Sequence, residues 1–162
     1  MGLFNHSKED CKHPILHYII EIICLFCLGG AVYICIELGF RGHTHWSMFI
    51  VGGLAFLSVG AINNCIFDYR IGMLPQMVMG GIAITVIEFI AGLILNVWLG
   101  IGVWDYSDMP FNILGQVCLP FTLAWIALSF VAIVVDDYVR YKVFGEPKVH
   151  YHWFYCTCDD PI

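Results

Sequence analysis

Charge is scarce in this sequence. Lys and Arg number seven and Asp and Glu thirteen, together 12% of 162 residues, where a typical soluble domain carries about 25%. With 60% hydrophobic residues and a mean hydropathy of +0.81, a disordered chain is excluded and a soluble globular domain is disfavoured. Alternation of polar and apolar residues over ten-residue segments is also missing, which excludes a strand barrel. No Walker A sequence, G-x-S-x-G or H-E-x-x-H occurs. The chain thus has no nucleotide-binding motif, the cofactor is unknown, and any ATPase is a separate polypeptide. No basic stripe marks a nucleic-acid surface.

The sequence does contain long apolar runs: 15–38, 47–67, 74–98 and 117–135, of 24, 21, 25 and 19 residues. About 20 residues cross a hydrocarbon core. Within these runs the only charged residues are Glu21, Glu37 and Glu88, and none is basic. The pattern predicts an all-α integral membrane protein, a four-helix bundle over 15–135, with an N-terminal arm (1–14) and a C-terminal tail (136–162). The first run is too long for a signal-peptide core. Pro14, Pro75 and Pro120 suit first turns, where a missing N–H costs nothing. The connections have 8, 6 and 18 residues, so consecutive helices are expected to be antiparallel neighbours.

Lys8, Lys12, Arg70, Arg140, Lys142 and Lys148 fall on one side of a four-span chain and Arg41 on the other. The excess of Lys and Arg puts both termini in the cytoplasm of a multi-pass cell-membrane protein. The outer loops hold no cysteine, so no extracytoplasmic disulfide framework exists. Cys24, Cys27, Cys35, Cys65 and Cys118 lie within spans and read as small packing residues.

Ionisable groups inside a membrane need a partner or a task. Gly81, Thr85, Glu88, Gly92 and Asn96 recur at helical spacing along one face of the third run. Small residues there allow close helix approach, and Thr, Glu and Asn offer hydrogen bonds. Glu88, near mid-membrane, reads either as a carboxyl bonded across the bundle or as a proton- or cation-handling site. Glu21 could share its depth with Asn63 and Asn64. Glu21 and Glu37 stand about 160° apart around a helix, which argues against one acidic pathway.

At the outer surface Glu37, Arg41, His43 and His45 could meet Trp104, Asp105, Tyr106, Ser107, Asp108 and Asn112 of the 99–116 loop. A clamp between Arg41 and a carboxylate would dock the loop. His43 and His45 with carboxylates are a weaker metal possibility, as are His150, His152, Cys156 and Cys158 in the tail. Tyr151, Trp153, Phe154 and Tyr155 suggest a tail lying on the membrane interface.

Three strings carry a resemblance: 87–92 (IEFIAG), 104–112 (WDYSDMPFN) and 115–121 (GQVCLPF). They resemble the bacterial CmpB-like family of ABC transporter permeases, type IV, and are similar to the vertebrate transmembrane protein 229 group. The stretch 41–48 (RGHTHWSM) agrees with them. The resemblance covers most of the membrane region, with the arm and the His/Cys tail outside it. It implies a small polytopic protein whose signature lies on Glu88 and the outer loop.

Three functional readings follow. The first is a permease-like transport component or small channel, with the lipid bilayer as surroundings, a homo-oligomer as one assembly and a separate ATPase or membrane subunit as partner. The second is a scaffold binding lipid or another membrane protein through the 99–116 loop. The third is an interfacial metal-dependent enzyme built on the outer His/Asp group.

Overall fold

The structure is a computed structural model and describes residues 14–62, 71–146 and 148–154. Four helices dominate it: α1 (Pro14–Arg41), α2 (Ser47–Ala61), α3 (Met73–Gly92) and α4 (Leu119–Val139). π-Helical turns extend α3 through Leu93–Trp98 and α4 through Arg140–Phe144. With these extensions, α1, α3 and α4 are long and apolar enough to cross a membrane, whereas α2 is a shorter apolar helix. Residues 63–70 of the expected second span, Asn63 and Asn64 among them, lie outside the described residues.

The expected boundaries need one correction. The fourth helix begins at Leu119, because Asn112–Ile113 (β1) and Val117–Cys118 (β2) pair antiparallel, Asn112 opposite Cys118. Past the apolar run it continues through Asp136, Asp137, Arg140 and Lys142 and ends where Gly145 takes a left-handed conformation at φ 75°, as a helix leaving the bilayer and broken by Gly145-Glu-Pro is expected to do. The longer α1 and α4 therefore carry Arg41 and Arg140 as helical residues, each paired with acids.

α1 packs along α2, and α3 along α4, with α2 crossing to α3. Glycine makes the first pairing close. A Cβ on Gly52 would stand 2.3 Å from Tyr33 Cβ, so only glycine lets α1 and α2 meet there. Ala55, Val59, Met73, Ile84, Trp125 and Ile133 form the main buried cluster, and Met48, Val51 and Trp104 a second one nearer the 99–116 loop. Ile19, Ile23, Val86, Ile90 and Val131 face outward, as a bundle dissolved in lipid permits. Cys24, Cys27 and Cys35 also lie exposed on α1 and only Cys118 is buried. The packing role expected of the span cysteines thus applies to Cys118 alone among those described; the α1 cysteines lie outside the helix contacts.

Candidate functional site

Glu88 is 1% exposed and lies at the centre of the bundle. Trp125 of α4 donates its indole N–H to Glu88 Oε2 at 2.8 Å, and the Tyr33 hydroxyl of α1 donates to Oε1 at 3.3 Å. The two aromatic rings stack at 5.6 Å. A buried carboxyl with no basic neighbour needs donors, and here an indole and a phenol from two other helices supply them. The rest of the α3 face meets α4 and the long loop. Gly81 admits Ile126, Thr85 donates to Gly81 O and to Thr122 Oγ1, and Gly92 admits Gln116.

One turn past Gly92, Asn96 holds the loop. Its Nδ2 donates to Trp104 O (3.0 Å) and Gln116 Oε1 (2.8 Å), and its Oδ1 accepts from Val103 N (2.7 Å). Trp104, 4% exposed, donates its indole N–H to Gln116 O at 2.9 Å. Asn112 donates to Ser107 O and Met109 O and accepts from Gly115 N. Phe111 and Leu114 adopt φ near +54°, a conformation rare outside glycine and asparagine. Asp105 Oδ1 accepts from both the hydroxyl and the amide of Ser107, which lowers its carboxyl below the ordinary range. Burial pushes the Tyr106 phenol up, and its ring stacks on Phe121 at 4.7 Å. Asp108 is exposed. Most of the 104–112 string therefore shapes the loop itself.

Arg41 does dock this loop, though not through a loop carboxylate. Its Nη1 pairs with Glu37 at 2.8 Å, and its Nη2 donates to the Val103 carbonyl at 2.8 Å. Thr44 donates to the other Glu37 oxygen. Asp105 is committed to Ser107, its own neighbour in the loop, so the expected Arg41–carboxylate bridge forms within α1 instead. A cavity of about 220 Å³ is lined by Glu37, Arg41, His43 and His45 together with Ile101–Val103. His45 Nδ1 lies 2.8 Å from Ser47 Oγ. No group of three or more His, Cys, Asp or Glu that could hold a metal forms among the described residues. This gives neither His43 with His45 nor His150 with His152 a metal centre there, and Cys156 and Cys158 lie outside the described residues.

At the opposite end Arg140 pairs with Glu21, with Asp136 at 2.8 Å and with Glu146 at 3.4 Å. The Glu21 partner found among described residues is thus a cation from beyond the expected span. Tyr151 donates to Asp137, and the carbonyls of His152 and Trp153 accept from Met73 N and Leu74 N at the start of α3. Trp153 stacks on Phe130. Residues 151–153 thus pack against the helix ends while Trp153 and Phe154 stay exposed.

Sequence reading missed Tyr33, Trp125, Gln116 and Asp136. Tyr33 and Trp125 are aromatic residues within apolar runs, where nothing separates them from lipid-facing ones. Gln116 carried a signal, being an uncharged polar residue directly ahead of the fourth run.

Residues 15–158 match the family described as putative ABC-transporter type IV, and the chain belongs to that family. The match includes His150, His152, Cys156 and Cys158, so the tail expected to fall outside the family lies within it. No curated protein and no solved structure matches the chain.

Proposed function

We propose that this member of the type IV ABC-transporter family is a membrane-embedded, permease-like subunit that does not conduct by itself. It works with other subunits, either further copies or a separate ATPase. In this reading it is a four-span protein of the cell membrane, with the arm and tail in the cytoplasm, the bundle at 15–135 and the 99–116 loop outside. Six of the seven Lys and Arg on the cytoplasmic side support that orientation.

The observation that carries the proposal is Glu88. Both oxygens are engaged by Tyr33 and Trp125 and the residue is 1% exposed. A carboxyl relaying ions through one bundle needs a polar cavity around it; this one is buried with its oxygens taken by a phenol and an indole. Glu88 then serves as the polar cross-link of the subunit, and solute moves between subunits. The locked 99–116 loop is the surface such a partner reads.

Reconstitution of the purified chain into proteoliposomes tests this. No proton or potassium flux is expected, for wild type or for Glu88→Gln. Flux from the chain alone that Glu88→Gln abolishes would overturn the proposal in favour of a channel.

A further inference from the structure

The seam between α1 and α4 is loose beside those of α1 with α2 and of α3 with α4. These helices scarcely approach one another, and four contacts among the described residues join them. Phe40 meets Phe121 near the loop end, Tyr33 stacks on Trp125 midway, and Glu21 pairs with Arg140 and His17 meets Phe144 at the far end. Between the contacts runs a groove of about 120 Å³, walled by Val32 and Ile36 on one side and Leu128 and Val131 on the other, with Ala55 and Val59 of α2 as its floor.

We propose that this groove binds one acyl chain of a bilayer phospholipid, seated against the Tyr33–Trp125 pair. The occupant follows from what the groove offers. Its four wall residues are 37–52% exposed, so it opens sideways, between two helices apolar enough to cross a membrane. Water there would need two to four polar partners, and the phenol and indole are already committed to Glu88. Another helix, about 10 Å across, is too wide. An engineered apolar cavity of about 150 Å³ takes benzene, so this groove has room for several methylenes. Lys142, exposed about two turns beyond the last groove residue, Val135, supplies a cation for the phosphate. The inference does not depend on the transport reading.

Photolabelling of the full chain in vesicles tests it, using a phospholipid with a mid-chain diazirine and mapping the labels by mass spectrometry. Label is expected on Ala55 and Val59, which are 5% and 1% exposed and line the groove. Ala132→Phe, which fills the groove, should abolish floor label while leaving it on Val78, Ile82 and Val86, on the open face of α3. Val131→Trp should act likewise, covering the case in which Ala132→Phe does not fold. Floor residues unlabelled in wild type, or labelled equally in every folded variant, would overturn the site. Equal floor labelling by a diazirine diacylglycerol would overturn its assignment to a phospholipid.

Discussion

Trp125 reaches across from α4 to Glu88 of α3, its indole nitrogen 2.8 Å from Oε2, while Tyr33 of α1 meets the other oxygen. One carboxyl therefore joins three helices. Glu88→Gln keeps the size and two polar atoms and should alter stability by less than about 1 kcal/mol, since interhelical hydrogen bonds in membranes average about 0.6. Glu88→Leu strands both donors and should cost about 1–3 kcal/mol. Thermal unfolding in detergent compares them, and equal midpoints would show that the carboxyl is no cross-link.

Asn96 makes three hydrogen bonds to the 99–116 loop. Asn96→Ala should release that loop and leave the helices folded. Hydrogen exchange at the amide of Val103, which donates to Asn96, should quicken, and Trp104 emission should shift to the red. Unchanged exchange there would mean that the turns around Asn112 hold the loop unaided.

Glycines separate close packing from open surface. A methyl at Gly52 meets Tyr33 Cβ at 2.3 Å, whereas Gly39 has nothing within 4 Å. Gly52→Ala should destabilise by about 1–3 kcal/mol through overpacking. Gly39→Ala should be neutral or stabilising, because alanine loses less backbone freedom in a helix. Parallel melts of the two variants decide the point.

The Asp105 carboxyl is held low by the Ser107 hydroxyl and then by the Ser107 amide. A depressed acid supports the loop above the ordinary carboxylate range and loses that support as pH falls through its lowered value. The Ser107 amide should therefore exchange slowly near neutrality and faster in acid, relative to other loop amides. Asp105→Asn should remove this pH dependence.

The helices were legible because apolar runs of bilayer length have few alternatives, and the α3 face because small and polar residues at helical spacing mark a buried stripe. Partners were not legible. Glu21 and Arg140 pair although 119 residues separate them, and spacing along the chain does not show which residues of two distant helices meet. The loop was ambiguous in another way: its aspartates suit both ligands and side-chain-to-backbone turns, and an aspartate two residues before a serine amide fits a turn well. Which use prevails depends on the Asn96 and Gln116 contacts, which spacing alone does not encode.

The bond between the 151–153 segment and the start of α3 also bears on biosynthesis. The amides of Met73 and Leu74 find their acceptors in the carbonyls of His152 and Trp153, and a ribosome makes those only after all of α4. During translation the first turn of the third helix thus waits with open amides, and their acceptors come from a segment made after α4. Nascent chains cut before residue 151 would then carry an α3 whose first turn frays, making the tail the final fastening of the fold.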